Sequence, residues 1–299
     1  REVYWNYGDL SQYDMVFYRS TGQPLKGTLT AYVPLATRLA YNSEAGCAGY
    51  DLRGLAQAKM SREDARKELD RKKFNCLLIS NTVMKRRFYN MDATVRHAFW
   101  TLLGEALGEP CKGAGFIYPP HPAAIVCPGT HLESRECMGL AKFAMTMENQ
   151  QEDGWFSEKV FNALLAKTVP VYFGAPDLGK YVNPKRFVLC TVADSKIKAM
   201  RKIHTKRTEH INLPGVKSSP YPTDREVVAW AVRELREELN SCVQRVKEIH
   251  ENDEAYMAML QEPVFLDNAN VSRKWIDGTS PAVGIADYMK TLQSPLFTA

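Results

Sequence analysis

The chain has 299 residues, with 39 Lys and Arg against 34 Asp and Glu, a formal net charge of +5, and 45% hydrophobic residues. This is ordinary for a globular protein. The mild positive balance suits anionic ligands but falls short of the concentrated basic face that nucleic-acid binding needs. No apolar run reaches transmembrane length and no signal peptide opens the chain, so membrane contact is expected only through an anchor outside it. The chain starts at Arg1 without Met, as a piece cut from a longer protein would.

Residues 1–45 hold two strand-like runs, 15–18 and 28–32, with Gly and Pro between them. Residues 57–73, QAKMSREDARKELDRKK, carry Glu and Arg pairs at helical spacing and predict a charged, solvent-facing linker helix. FNCLLIS, 74–80, reads as a buried strand. Asn81 then turns into a helix holding Lys85, Arg86 and Arg87. Those cations stand beyond a strand's C-terminal end, where α/β sheets bind ligands; a solvated basic helix face is the plainer alternative. A further amphipathic helix is expected at 96–107. Residues 108–135, rich in Gly, Pro and Cys and without periodicity, predict a long surface insertion. His121 and His131 have no carboxylate pattern that would suggest a metal.

Among the cysteines, 76 and 190 sit in apolar strands and are expected as buried thiols. Cys111, Cys127 and Cys137 share one irregular stretch and could bridge in an oxidising compartment. Asn270-Val271-Ser272 is a glycosylation acceptor tripeptide, a weak signal on its own. Further on, 186–192 predicts a strand, 199–221 a solvated basic loop, 224–239 and 241–260 two helices, and 281–292 a terminal helix.

The most informative stretch is 143–187, FAMTMENQQEDGWFSEKVFNALLAKTVPVYFGAPDLGKYVNPKRF. It predicts a strand at 143–147, a polar loop, and a helix at 158–167 with Ser157 as its N-cap. A second strand at 171–173 is ended by Gly174 and Pro176. This is a βαβ unit, so the strands should be parallel with a right-handed crossover. The loop ENQQEDGWFSEK then lies at the C-terminal edge of the sheet. A helix N-terminus there attracts a diphosphate, and Lys159 adds a charge that would otherwise oppose the helix dipole. Glu158 can accept two hydroxyls of a ribose diol, Trp155 offers an aromatic face, and Asn149 supplies both donors and an acceptor. The same residues also fit an ordinary helix start whose Glu and Lys are solvated.

This segment resembles the signature of the GDP-fucose-dependent α1,3/α1,4-fucosyltransferases, glycosyltransferase family 10. That pattern is roughly F-E-N-S, a spacer, D-[GY]-[YI]-[VI]-T-E-K, a helix, G-x-[VI]-P-[VI]-x-x-G and a downstream P-x-[SR]-F. Glu148-Asn149, Asp153, Glu158-Lys159, Val169-Pro170-Val171, Gly174 and residues 184–187 fall in step. The departures are Gln150 for Ser, Trp155 for Tyr, Phe156 for Val or Ile, and Ser157 for Thr. Weaker likenesses lie at YDMVFYRS, where Ser20-Thr21 replaces the family's Ser-Asp, and at NDEAYMAMLQEPVF.

The resemblance implies an α/β, GT-B-type fold of two Rossmann-like halves. Residues 74–299 would form a complete C-terminal GDP-fucose-binding half. Residues 1–73 would be the end of a truncated N-terminal acceptor-side half plus a linker helix. It implies an inverting fucosyltransferase acting on a glycan or glycoprotein hydroxyl, with α1,3 linkage expected. Arg87 (counted from Asn81) and Lys159 would hold the diphosphate, while Asn149, Trp155 and Glu158 position the nucleotide sugar. Glu2 stands near the place of the family's proposed general base. The approach of residues 191–194 to guanine is also carried over. No cofactor is required beyond the donor substrate, a divalent metal being at most a stimulant, and no Asp-x-Asp motif is present. Eukaryotic members are type II membrane proteins of the Golgi lumen; a bacterial one would be cytoplasmic. Two rivals remain: a GT-B transferase using GDP-mannose or a UDP-sugar, and a catalytically silent glycan- or nucleotide-binding homologue.

Overall fold

The computed structural model describes residues 15–18, 29–32, 55, 58–80, 91–115, 123–127, 134–148, 151–209 and 224–266. Strands β1 (Met15–Tyr18) and β2 (Leu29–Tyr32) pair in parallel, Met15 opposite Leu29. The elements that follow are α1 (Arg62–Asp70), β3 (Phe74–Ser80), α2 (Met91–Ala106), β4 (Lys112–Gly115), α3 (Ser134–Gly139) and β5 (Ala141–Met147). After them come α4 (Glu158–Leu165), β6 (Val169–Phe173), β7 (Val188–Cys190), α5 (Asp194–Glu209), α6 (Asp224–His250) and α7 (Asp253–Gln261).

Strands β3 to β7 form one parallel sheet in the order β4-β3-β5-β6-β7. A parallel sheet needs cover on both faces, and the alternation of its strands supplies two apolar surfaces. Phe143, Met145 and Met147 of β5 join Val169, Val171 and Phe173 of β6 against Phe99 and Leu103 of α2 and Leu235, Leu239, Val243 and Val246 of α6. Tyr172 faces the other way, into Phe156, Val160, Phe161 and Leu164 around α4. Beside it, Ala144 meets Ala163 and Ala166; the small side chains let α4 lie close to the sheet. Chain order reverses at β3, which has β4 on one side and β5 on the other. The ligand crevice of such a sheet lies outside the carboxyl ends of these two strands, at Ser80 and Met147.

The expected βαβ unit is present with shifted edges. α4 ends at Leu165 and not at 167, because Lys167 takes a left-handed conformation (φ 56°). Its N–H donates to Leu164 O and that of Thr168 to Ala163 O, the paired bonds that stop a helix at its C-terminus. α1 begins one residue after Ser61, whose hydroxyl accepts from Asp64 N–H at 3.0 Å. Most of α1 faces water as expected, but Ala65 and Leu69 are buried among core residues that include Tyr256 and Met257 of α7.

Four expectations need correction. Residues 108–135 are not all surface insertion: 112–115 form β4, an edge strand whose Gly113 also bonds to Ala123 and Ile125. Its sequence, KGAG, lacks strand propensity and is held by pairing to β3. Residues 199–209 are helical, part of α5, because Ile197 and Met200 bury at helical spacing. The break expected near 240 is absent. Leu235, Leu239, Cys242, Val243, Val246 and Ile249 keep one apolar stripe through Asn240-Ser241, so α6 runs on unbroken. Cys76 and Cys190 are not free thiols but disulfide partners of Cys111 and Cys242, with Cα atoms 4.8 and 5.3 Å apart; Cys127 and Cys137 form a third bridge. The predicted helix at 281–292, and residues 270–272, lie outside the described residues.

Candidate functional site

The crevice is built from the last residue of β5's run outward. Glu148 N–H donates to Phe173 O at 2.7 Å, extending the β5–β6 ladder by one bond. This fixes the Glu148 side chain directly under the start of α4. Gly154 has φ 72°, a left-handed conformation that glycine adopts without a Cβ penalty. Its N–H donates to Asp177 Oδ1 at 2.7 Å. Gln151 anchors the loop to the end of β7: its Nε2 donates to Val192 O at 2.7 Å and its Oε1 accepts from Val192 N–H at 2.9 Å. The amide thus acts as one more strand rung.

Ser157 stands at the N-cap position, but its hydroxyl makes no capping bond to α4. It donates instead to both Glu148 carboxylate oxygens, at 2.7 and 2.8 Å, and the Ser157 N–H donates to Glu148 Oε1 at 2.8 Å. The Lys159 ammonium donates to Glu148 Oε2 at 3.0 Å and to Ser157 Oγ at 2.8 Å, with Glu158 Oε1 at 3.6 Å. Glu148 is 1% exposed, whereas the Lys159 and Glu158 side chains keep 30% and 25% of their surface in solvent. The Lys159 side chain is thus partly exposed, while its ammonium is tied to buried Glu148 and Ser157. Burial is the largest influence on its ammonium and acts against the charge. The carboxylates of Glu148 and then Glu158, together with the Glu148 hydrogen bond, outweigh it, and the pKa stands raised.

Of the residues predicted from sequence, the structure brings Glu158 and Lys159 together at the crevice. Trp155 lies in the same loop but keeps only 8% of its surface exposed, so the face it offers is narrow. Its carbonyl accepts from the Tyr172 hydroxyl at 3.4 Å. Glu2, Arg87 and Asn149 lie outside the described residues. Sequence reasoning missed Arg96. It lies on α2, buried, and its charge acts on Lys159 and on His97. The imidazole of His97 falls to about 4, chiefly by burial and then by Arg96. A cation on an amphipathic helix reads as solvated, so only the fold discloses it. Among the described residues no group of three or more His, Cys, Asp or Glu converges as a metal would require.

The rest of the signature serves the framework. Asn183 N–H donates to Val264 O at 2.8 Å, Asn183 Nδ2 donates to Pro263 O at 2.8 Å, and buried Arg186 donates to Met259 O. The 183–187 segment is thereby fastened to α7 and the turn after it. Two of the segments that carry the family likeness are thus packed on each other.

No family model matches the chain. An α-(1,3)-fucosyltransferase FucT of Helicobacter pylori is 29% identical over 130 residues, which is 42% of this chain and 25% of the relative. The match thus spans about a quarter of that protein's length. A solved α1,3-fucosyltransferase aligns over 95% of this chain and 69% of its own, with a TM-score of 0.51 and 17% identity; at that identity the likeness shows the fold. An α1,3-fucosyltransferase solved with GDP-fucose aligns over 85% of this chain and 68% of its own, with a TM-score of 0.44 and 16% identity. In its signature, in its curated relative and in its parallel α/β fold, the chain resembles the α1,3-fucosyltransferases of glycosyltransferase family 10.

Proposed function

We propose that the protein is an inverting glycosyltransferase that moves fucose from GDP-fucose to a glycan hydroxyl, with α1,3 linkage. The observation that carries this reading is the Glu148–Ser157–Lys159 cluster at the switch point of the sheet, the place where a nucleotide sugar binds in such folds. The Lys159 side chain is 30% exposed, and its ammonium is held by Glu148 and Ser157 with its charge favoured. In this reading Lys159 and Arg87 hold the diphosphate, Asn149 and Trp155 orient the nucleotide, and Glu158 accepts the ribose diol.

The acceptor hydroxyl attacks the anomeric carbon from the face opposite the diphosphate. The bond to GDP breaks as the new glycosidic bond forms, and a carboxylate base takes the hydroxyl proton; Glu2 is the proposed base. Negative charge grows on the leaving diphosphate, so fixed cations there favour the transition state over the ground state. Each charge-assisted contact is worth roughly 1.5–3 kcal/mol. The two cations fill the role a divalent metal has in other transferases.

Three disulfides among the described residues support an oxidising compartment such as the Golgi lumen, since cytosolic thiols stay reduced. The membrane anchor would lie outside this chain; no described helix is long and apolar enough to cross a membrane.

Calorimetric titration with GDP-fucose, GDP-mannose and UDP-galactose in EDTA tests the donor, followed by a transfer assay on fucose-free glycans. Selective GDP-fucose binding is expected, with Lys159→Ala about tenfold weaker or worse. Equal affinity for all three donors, or an unaffected Lys159→Ala, would refute the assignment. Binding without turnover in the transfer assay would leave a silent nucleotide-binding homologue.

A further inference from the structure

We propose that Glu148 is a positioning residue of the donor site, holding the Lys159 ammonium and the N-cap residue Ser157 in the geometry that receives the diphosphate. The inference rests on the donor-site reading above and assigns a further residue to it.

The geometry is unusual for a structural carboxylate. Glu148 is almost wholly buried at 1% exposure, an expensive place for a charge unless every lone pair is used. Its two oxygens take the Ser157 N–H, the Ser157 hydroxyl and the Lys159 ammonium, at 2.7 to 3.0 Å. All three donors belong to the entry of α4, and all are reached from the end of a different element, β5. A carboxylate needed only to cap a helix would be satisfied by backbone N–H groups. Here it also restrains a long, flexible lysine by two routes, directly and through Ser157 Oγ.

The surroundings are shaped to keep it there. A β-carbon on Gly174 would stand 2.6 Å from Glu148 Cγ, so the backbone of β6's end leaves just enough room for the Glu148 side chain. The charged groups acting on Lys159 are Glu148 from β5, Glu158 from α4 and Arg96 from α2. Two favour its protonated form. Arg96 and burial oppose it. Removing the Glu148 charge leaves Glu158 alone against them, so Lys159 becomes both less tightly placed and easier to discharge.

The test uses the whole chain, GDP as probe, and calorimetry across the neutral-to-alkaline range, with a thermal melt for each variant. Glu148→Gln keeps the shape and removes the charge. GDP affinity is expected to fall about tenfold or more and its alkaline loss to move to lower pH than in the wild type. The guanine's own titration is common to all variants and cancels in the comparison. Adding Lys159→Arg to Glu148→Gln restores a cation that does not discharge, and the displaced alkaline limb should return. A folded Glu148→Gln protein with wild-type affinity and pH profile, beside a Lys159→Ala protein that has lost GDP, would overturn the role of Glu148 and spare the donor site. If Lys159→Ala also binds normally, the donor-site reading falls and this inference with it. Should Glu148→Gln fail to melt cooperatively, Ser157→Ala decides. It removes the hydroxyl that bridges the pair, and several-fold weaker GDP binding with a near-native melt is expected. Unchanged binding overturns the proposal.

Discussion

Replacing Gly174 with alanine would show how tightly the framework constrains the site. The residue follows β6 directly, where the chain leaves the sheet beside Glu148. A β-carbon built on it collides with the Tyr172 hydroxyl, and stands 2.6 Å from both Tyr172 Cζ and Glu148 Cγ. Neither neighbour can retreat. Tyr172 is fully buried among Phe156, Phe161 and Phe187, and its hydroxyl accepts from Ala175 N–H at 3.0 Å while donating to Trp155 O. Glu148 is fixed by Ser157 and Lys159.

Forcing a methyl into such a packed place costs about 1–3 kcal/mol, and losing one of the buried hydrogen bonds adds about 1 kcal/mol. The reduced freedom of the unfolded chain returns less than about 1 kcal/mol. The net loss is therefore about 1–4 kcal/mol, a fall of roughly 2–16 °C in the melting midpoint. Because Glu148 is one of the two displaced groups, GDP affinity should fall with stability. Urea melts and GDP calorimetry on Gly174→Ala measure both. Gly179→Ala is the internal control, since its β-carbon would meet only Pro184 Cβ at an ordinary 3.7 Å; its stability should stay within about 0.5 kcal/mol of the wild type. A Gly174→Ala protein as stable as the Gly179→Ala control, binding GDP normally, would refute the packing argument.

Two further outcomes follow from groups remote from the crevice. Lys72 donates to the carbonyls of Gly139 at 2.9 Å and Lys167 at 2.8 Å, and burial, opposed by Glu68, pulls its pKa from 10.5 to about 7. The unfolded chain then holds a proton that the folded one has released, so stability should rise with pH between about 7 and 10.5 and fall as pH drops through that window; Lys72→Met should flatten the slope measured by urea melts. The Cys190–Cys242 bridge closes a loop of sequence separation 52, worth about 4 kcal/mol by chain entropy. Cys190→Ser with Cys242→Ser should lower the urea midpoint accordingly, whereas melts indistinguishable from the oxidised wild type would show that the bridge does not stabilise the chain.

Legibility in the sequence follows the range of the interactions that decide each feature. The β5–α4–β6 unit is visible because its signals are local: an apolar run, a glycine, an amphipathic helix and a second run ended by Gly174. α6 is misread as two helices because Asn240-Ser241 carries a local break signal, which the stripe from Leu235 to Ile249 overrides. β4 and α5 are hidden because neither KGAG nor a run of Lys and Arg announces its element. Pairing to β3 makes the first, and Ile197 and Met200 help secure the second. The disulfides are long-range by nature, so spacing alone leaves Cys76 and Cys190 looking like buried thiols. In the site, Lys159 is legible from its odd place in the first turn of a helix. Its carboxylate partner is not, because Glu148 and Lys159 lie eleven positions apart and meet only through the turn of the loop.

A signature of this kind mixes residues that build the crevice with residues that face it, and burial separates the two. Glu148, Gly174 and Asp177 act inward: the first restrains Lys159, the second leaves the first its space, the third takes the Gly154 N–H at the bend. Asn183 and Arg186 lock the segment to the end of α7. Glu158 and Lys159 alone among these keep a quarter or more of their side chains in solvent. A homologue could therefore retain the inward set, match the pattern well and fold as this chain does, while a change at Lys159 removed the cation from the crevice. Conversely, Gln150, Trp155, Phe156 and Ser157 depart from the family pattern, yet the hydroxyl that the Glu148–Lys159 bridge uses is kept by Ser157 where the family has Thr. On the donor-site reading proposed above, what matters is less how many signature positions agree than whether the buried carboxylate, the bridging hydroxyl and the lysine ammonium they hold are retained together.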